Sequence, residues 1–266
     1  MRRYAAPPTT LPISPVNNRE TIICRDATEL NRKAAAQFVA LARQAIEARS
    51  RFSVALSGGS TPKALYSLLA TGEFSEQLAW RQIHLCWGDE RCVGPDHAES
   101  NFRMVKESLL GKIAIPSENV HRMAGERKPA LAAAAYEAEL RKVFAADASW
   151  PRFDLILLGL GEDGHTASLF PGSSALKDTV HWVAMTYVEK LKSHRLTLTL
   201  PVINNAREIF FLVAGQSKAT MVRKILQAGT RDFPAARIQP THGQLTWLIT
   251  QDAACEMDFT QGDKLA

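Results

Sequence analysis

The chain has 266 residues, of which 46% are hydrophobic and 22% are charged, and its formal net charge is +5. These values are ordinary for a soluble globular protein, and the length suits one large α/β domain or two small ones. The basic residues form no stripe interleaved with aromatic residues, so a nucleic-acid partner is not expected; small anionic substrates or a solvated surface explain the charge as well. No apolar stretch approaches the ~18 residues that cross a membrane, so no membrane partner is expected either.

The cysteines and the two ends of the chain bear on the compartment. Four cysteines form no C-x-x-C pair, and two of them lie in apolar, strand-like runs, which is typical of reduced thiols. Residues 1–19 carry four prolines and Arg2-Arg3 but no apolar core of a secretion signal. We therefore expect a cytoplasmic protein, with a flexible tail over 1–19, one α/β catalytic domain over 20–256 and a polar tail over 257–266.

Hydrophobic periodicity predicts strands that alternate with helices. The predicted strands are Thr21–Cys24, Phe52–Leu56, Gln82–Trp87, Phe153–Leu158, Trp182–Tyr187, Arg195–Leu200, Glu208–Ala214 and Leu245–Thr250. The predicted helices are Asp26–Arg49, Lys63–Ala70, Ala98–Leu110, Pro129–Ala145 and Ala219–Gln227. A short helix is expected to begin at Thr166–Phe170, and a turn is expected at Pro201–Asn205. This alternation indicates an α/β fold with a mostly parallel, layered sheet.

A glycine- and hydroxyl-rich loop follows the strand Phe52–Leu56. The loop consists of Ser57, Gly58, Gly59, Ser60 and Thr61 and ends at Pro62, which suits the first turn of a helix that Ser60 or Thr61 can cap. Free N–H groups at such a helix start bind anions, so the loop is predicted to hold a phosphate; an ordinary capped turn is the alternative. Lys218 follows another strand to the same sheet edge and is a candidate phosphate partner, unless it points to solvent.

Charged residues follow the strand Gln82–Trp87 directly, in Gly88-Asp89-Glu90-Arg91. Three charges in four residues argue against a place in the core. Arg91 can grip a phosphate or carboxylate with two hydrogen bonds, and Asp89 can orient Arg91 or the hydroxyls of a substrate. A solvated loop tip is the competing interpretation.

The stretch Phe153–Gly172 is the centre of the functional prediction. A buried strand ends at Leu158, three glycines shape a turn, and His165 follows at the sheet edge where α/β proteins bind their ligands. An imidazole suits proton transfer at neutral pH, so His165 is predicted to be a catalytic base, with Asp163 fixing its tautomer. A structural hydrogen bond that closes the turn is the alternative role of His165.

Several standard motifs are absent or misleading. The Gly159-x-Gly161-x-x-Gly164 pattern matches a dinucleotide fingerprint, but Glu162 and Asp163 would place two carboxylates against a pyrophosphate. The chain has no Walker-type loop, no H-E-x-x-H and no G-x-S-x-G elbow. We therefore expect neither a cofactor nor a metal, and we expect a general base rather than a serine nucleophile.

Taken together, these motifs resemble those of the 6-phosphogluconolactonases. The matching segments are SGGSTPKALY, WGDERCV followed by DHAESNF, LGLGEDGHTASLFPG, RLTLTLP and Gly215–Lys218, and the resemblance spans roughly Thr21 to Thr250. It implies a Rossmann-like sheet with helices on both faces, as in sugar-phosphate isomerases, and hydrolysis of 6-phospho-D-glucono-1,5-lactone without cofactor or metal. By the resemblance, His165 is the general base, Asp89 and Arg91 are active-site residues, and Lys218 and Arg195 bind phosphate.

Two other functions fit the same pattern less well. A glucosamine-6-phosphate deaminase resembles this chain at the Asp-Gly-His turn, but its acidic residue is missing from Ala167-Ser168-Leu169-Phe170-Pro171. A non-catalytic sugar-phosphate-binding regulator would not need His165, Asp89 and Arg91 together. The expected ligand is a small phosphorylated lactone, and the expected assembly is a monomer or a weak homo-oligomer.

Overall fold

The computed structural model describes residues 18–145, 150–227 and 230–258, so most of the predicted tails, 1–17 and 259–266, lies outside the described residues. The strands, numbered along the chain, are β1 (Arg19–Cys24), β2 (Phe52–Leu56), β3 (Ile83–Trp87), β4 (Asp89–Arg91), β5 (Val120–His121), β6 (Leu155–Leu158), β7 (Val183–Val188), β8 (Ser193–Leu198), β9 (Glu208–Val213) and β10 (Gln244–Thr250). The helices are α1 (Ala27–Arg49), α2 (Ser60–Leu69), α3 (Gly72–Ser75), α4 (Asn101–Ser108), α5 (Pro129–Phe144), α6 (Leu200–Asn204) and α7 (Ala219–Leu226).

Seven of these strands form one parallel sheet in the order β1-β10-β9-β6-β2-β3-β5. Every residue of β2 and β6 is buried, which is why both strands read as continuous apolar runs in the sequence. The predicted mostly parallel α/β fold is therefore confirmed. Within the described part of the chain, no helix combines the length and apolar character that a bilayer crossing requires.

The predicted strands around 182–200 lie in a second, antiparallel sheet and not beside the parallel strands. That sheet has the order β4-β8-β7, and its edge strand β7 exposes Met185 and Tyr187 while burying the residues between them. One solvated face and one buried face are typical of antiparallel strands. The small sheet begins where β3 ends: Leu198 N–H donates to the carbonyl of Gly88 at 2.8 Å.

The expectation that the charges of 88–91 avoid the core is wrong. Asp89–Arg91 is strand β4, and Asp89 and Glu90 are buried. The carboxylate of Glu90 accepts the backbone N–H groups of Asn101 and Phe102, both at 2.8 Å, at the start of α4. Burial raises the pKa of Glu90, while these backbone hydrogen bonds oppose the rise. Glu90 is thus accommodated because it satisfies N–H groups that a helix start leaves unpaired.

Three local predictions also need correction. Residues 201–205 were expected to be a turn, but α6 covers Leu200–Asn204 with Pro201 in its first turn, where proline is well tolerated. Residues 166–170 form a tight turn rather than a helix: Leu169 N–H donates to the carbonyl of Thr166 at 2.9 Å, and Ala167 has a φ of +48°. Helix α2 is preceded by Gly59 with a φ of +110°, and neither Ser60 nor Thr61 caps it through its side chain.

Candidate active site

A cleft of about 440 Å³ opens at the carboxyl ends of the central strands. It lies where the loops after β2, β3, β6 and β9 meet, because these strands are neighbours in the parallel sheet. The predicted site residues that line it are Ser57, Gly58, Gly59, Ser60, Thr61, Asp89, Arg91, His165, Arg195 and Lys218. Asp163 does not line the cleft, but it contacts His165. The structure therefore brings together all the side chains and loops that were predicted from separate motifs.

The loop after β2 is held in place by Tyr66 of α2. The Tyr66 hydroxyl accepts from Ser57 N–H at 3.0 Å and donates to the Ser57 carbonyl at 2.9 Å. Gly58 has no room for a side chain, since a Cβ there would lie 2.0 Å from Oδ1 of Asn101. The Ser57 hydroxyl is buried and has no hydrogen-bond partner in the described chain. A fixed loop with a free hydroxyl and the first N–H groups of α2 is a suitable cradle for a phosphate.

His165 is held by Asp163. Nδ1 of His165 lies 2.5 Å from Oδ1 of Asp163, and the same oxygen accepts the His165 backbone N–H at 3.2 Å. Lys190 donates to the other oxygen of Asp163. Burial opposes ionisation of Asp163, but the hydrogen bonds from Lys190 and His165 prevail and lower its pKa to about 2. An ionised Asp163 accepts the proton on Nδ1, which leaves Nε2 of a neutral His165 with a free lone pair.

Glycines shape the turn that carries His165. Gly164 has a φ of +77°, which favours glycine, and the His165 carbonyl accepts from Gly161 N–H at 2.9 Å. A Cβ on Gly161 would lie 2.0 Å from Nδ1 of His165. The imidazole stacks on the ring of Phe170 at a centroid distance of 4.3 Å, and its side chain is 29% exposed. The ring is therefore fixed in orientation and still reachable from the cleft.

Asp89 links the loops rather than standing free in the cleft. One carboxylate oxygen accepts from the Ser168 hydroxyl at 2.7 Å, beside the His165 turn. Asn101, which fills the space over Gly58, donates to the carbonyl of Asp89 at 2.9 Å and to its other carboxylate oxygen at 3.3 Å. Asp89 thus connects the His165 turn to the Ser57 loop. Asp89 also lines the cleft, and its predicted contact with Arg91 or with substrate stays a prediction.

Arg91 and Arg195 face each other across the β4–β8 register. Arg195 is buried and donates to Ser193 Oγ at 2.6 Å, while Arg91 donates to the carbonyl of Glu99. Burial lowers the pKa of Arg195, and the neighbouring Arg91 lowers it further. Two guanidinium groups at one wall of the cleft leave that wall positively charged, which suits an anionic substrate.

Lys218 lines the cleft from the start of α7. Its Nζ is 3.7 Å from a carboxylate oxygen of Glu162, and its side chain is 25% exposed against 67% for Glu162. An incoming phosphate would compete with Glu162 for Lys218.

Sequence reasoning missed several residues of the site. They are Tyr66, Asn101, Ser168, Phe170 and Lys190. Asn101 lies in DHAESNF and Ser168 in LGLGEDGHTASLFPG, so the polar character of these two residues was an available signal. Tyr66 and Phe170 read as ordinary core residues. Lys190 lies in a charged surface segment, and no local pattern distinguishes it from a solvated lysine.

Comparison with known proteins gives the family. The family model of glucosamine-6-phosphate isomerases/6-phosphogluconolactonase matches residues 25–247. A 6-phosphogluconolactonase of Synechocystis sp. is 46% identical over 214 residues, 79% of this chain and 86% of the relative. One of Nostoc sp. is 41% identical over 217 residues, 80% and 88% of the two chains. The structure of 6-phosphogluconolactonase from Trypanosoma cruzi superimposes with a TM-score of 0.80 at 30% identity, covering 91% of this chain and 97% of that one. These matches confirm the resemblance predicted from the motifs, and the chain belongs to the family of glucosamine-6-phosphate isomerases and 6-phosphogluconolactonases.

Proposed function

We propose that the protein hydrolyses 6-phospho-D-glucono-1,5-lactone to 6-phospho-D-gluconate, a step of the oxidative pentose phosphate pathway. The observation that carries the proposal is the imidazole of His165 at the cleft, held through Nδ1 by the ionised Asp163. The 6-phosphogluconolactonases among the relatives support the choice of substrate. The free cysteines and the lack of a described membrane-spanning helix are consistent with action in the cytoplasm.

The cleft binds the phosphate and, beside it, the lactone ring. The Ser57–Thr61 loop, Lys218 and Arg195 supply N–H groups, hydroxyls and positive charge for the phosphate. This anchoring places C1 of the lactone near His165 and converts the attack of water into a reaction within one complex.

His165 then acts first as a base and afterwards as an acid. Nε2 removes a proton from the water that adds to C1, which forms a tetrahedral oxyanion. The bond from C1 to the ring oxygen breaks, and the protonated His165 gives its proton to that oxygen, which yields the open-chain acid. Asp163 stabilises the transient imidazolium through the hydrogen bond to Nδ1.

The oxyanion needs a donor, and the cleft offers two. Arg91 lines the cleft, and backbone N–H groups of the glycine loops lie at the same edge. Removing one such donor typically costs about 3 kcal/mol of transition-state stabilisation.

A paired assay tests the proposal against the related chemistry. The purified protein is given freshly prepared 6-phosphogluconolactone, and acid release is followed above the spontaneous rate. Glucosamine 6-phosphate is given in parallel, and ammonia is measured. We expect catalysed lactone opening and no ammonia. Ammonia release would assign the protein to the deaminases, and binding of both compounds without turnover would make it a sugar-phosphate-binding regulator.

A further inference from the structure

A second, smaller pocket lies at the opposite edge of the sheet from the cleft. It has a volume of about 190 Å³ and opens at the amino-terminal ends of β2, β6 and β9, which are adjacent in the sheet. Each of these strands is preceded by an arginine that lines or adjoins the pocket: Arg51 before β2, Arg152 before β6 and Arg207 before β9. Arg49, the last residue of α1, is the fourth. The parallel topology thus gathers four arginines from three crossovers.

The positive charge of this pocket exceeds the negative charge of the described residues that line it. Of the described residues that line it, Asp154 alone is acidic. One carboxylate oxygen of Asp154 accepts from the backbone and side chain of Ser53, both at 2.8 Å. Its other oxygen accepts two hydrogen bonds from Arg49, at 2.7 and 3.2 Å. Both oxygens of Asp154 are therefore occupied. Arg51 donates instead to the carbonyl of Val143 at 2.6 Å and lies over the ring of Phe144, so the described lining combines four guanidinium groups with one carboxylate.

Two of the arginines keep most of their donors free. Arg207 approaches Asp154 to 3.4 Å as an ion pair but makes no side-chain hydrogen bond within the described chain. Arg152 donates once, to the carbonyl of His242 at 3.0 Å, and its Nε has no partner there. The pKa of Arg207 is lowered by burial first and then by the charges of Arg49 and Arg152. Like charges held together with unused donors are a cost to the fold that an anion would relieve.

We propose that this arginine pocket binds a small tetrahedral oxyanion, either free inorganic phosphate or the phosphate group of a small ester. Guanidinium groups match phosphate oxygens with paired hydrogen bonds, and three strands position them on rigid backbone. Trp150, Pro151 and Phe144 complete the walls, so the pocket is too confined for a nucleic-acid strand. The site is separate from the catalytic cleft and does not depend on the proposed lactone hydrolysis.

Trp150 supplies a local reporter of binding. Inorganic phosphate is titrated at constant ionic strength, balanced with sodium chloride, and the fluorescence of the wild type is compared with that of Trp150→Phe. We expect a saturable change that Trp150→Phe lacks. Arg207→Gln and Arg152→Gln should each weaken the apparent affinity about tenfold or more, since each removes a charged donor. Glycerol phosphate is titrated in the same way. If it binds more tightly than inorganic phosphate, the ligand is a phosphate ester; if it binds more weakly, the ligand is free phosphate.

Two controls separate this pocket from charge effects and from the cleft. Arg32→Gln removes an exposed arginine that pairs with Glu73 on α3 and should leave the affinity unchanged. Lys218→Ala alters the catalytic cleft and should leave the Trp150 signal unchanged. The proposal is overturned if sodium chloride alone reproduces the response, if no saturation occurs, or if Lys218→Ala removes the signal. Circular dichroism checks the fold of each variant, and Arg152→Gln decides the matter if Arg207→Gln does not fold.

Discussion

Nδ1 of His165 and Oδ1 of Asp163 lie 2.5 Å apart although a single residue, Gly164, separates them along the chain. The turn reaches this geometry because Gly164 takes a φ of +77° and Gly161 leaves the space beside the imidazole empty. Base and orienting carboxylate are therefore set by one loop at the end of β6. This local origin is the reason that the pair could be predicted from the sequence.

His165→Ala tests the base. We expect kcat to fall by about two orders of magnitude or more, with KM changed only a fewfold, because the substituted group moves a proton and does not hold the phosphate. His181→Ala is a matched control: its Nδ1 also contacts an aspartate, Asp178 at 2.9 Å, away from the cleft. Steady-state kinetics on both folded variants decide it, and near-normal turnover of His165→Ala would remove His165 from the mechanism.

Asp163→Asn tests the orienting carboxylate. We expect kcat to fall by about a hundredfold or more, because an amide does not hold the productive tautomer. Lys190→Met should lower kcat less, because Asp163 still accepts the hydrogen bond from His165 in that variant.

The pKa of Asp163 is about 2 in the folded protein and about 3.9 in the unfolded chain. The contribution of Asp163 to stability is therefore present above pH 4 and is lost as the pH falls towards 2. Asp163 therefore stays ionised throughout pH 5–9, so Asp163→Asn should lose activity across this whole range; a loss confined to one end of the range would contradict this role.

Glu162→Gln tests the competition for Lys218. Exposed ion pairs are worth about 0–1 kcal/mol, so we expect KM to fall by up to about fivefold with kcat unchanged. Lys218→Ala should raise KM instead. Glu76→Gln, at an exposed glutamate that follows α3 and does not line the cleft, is the control for loss of one negative charge. An unchanged KM in Lys218→Ala would place that lysine outside the phosphate site.

The sequence predicted the parallel sheet and its carboxyl edge well, because buried strands such as β2 and β6 are short continuous apolar runs. The hydrophobic pattern did not predict that β7 and β8 form a separate, antiparallel sheet. Their apolar alternation marks a strand but does not say which sheet the strand joins. Glu90 was misjudged for a related reason: whether a carboxylate is buried depends on the α4 N–H groups that meet it, and these come from eleven and twelve residues further along the chain.

In the candidate active site, the residues of the loops could be predicted from the sequence, but the residues that hold these loops in place could not. His165 and Asp163 are neighbours in sequence, whereas Asp163 and Lys190 are brought together from 27 residues apart. Asp89 and Ser168 are 79 apart, and their contact depends on how the small antiparallel sheet docks on the parallel one. Chemistry-bearing loops leave a local signature, but the contacts that hold them in place arise from tertiary packing.

Tyr66→Phe tests whether the Ser57 loop needs its support. The change leaves the Ser57 N–H and carbonyl without their buried partner, which should cost about 1–3 kcal/mol of unfolding free energy and raise KM severalfold. Tyr136→Phe is the matched control, since the Tyr136 hydroxyl bridges the N–H and carbonyl of Trp87 in the same way at the end of β3. We expect a similar loss of stability there with a smaller change in KM. Equal KM effects would show that the Ser57 loop has no special dependence on Tyr66.

Glu208→Gln tests a half-buried acid at the start of β9, away from the cleft. Burial, followed by the charge of Glu20, raises the pKa of Glu208 to about 7 in the fold, against about 4.3 when unfolded. At pH 4 the carboxyl is mostly protonated in both states, so its burial costs the fold little. Between pH 4.3 and 7 the unfolded chain ionises first, so the wild type loses stability as the pH rises and the loss is constant above 7.

A glutamine mimics the protonated acid, so Glu208→Gln should match the wild type at pH 4 and exceed it at pH 8. Because the side chain is only half-buried, the gain is expected to be about 1–2 kcal/mol rather than the full linkage value. Urea unfolding at pH 4, 6 and 8 measures it as a rise in midpoint with an unchanged slope. Glu118→Gln, at an exposed position, should show no such trend. A gain for Glu208→Gln that was largest at pH 4 would have the wrong sign for an acid that burial keeps protonated.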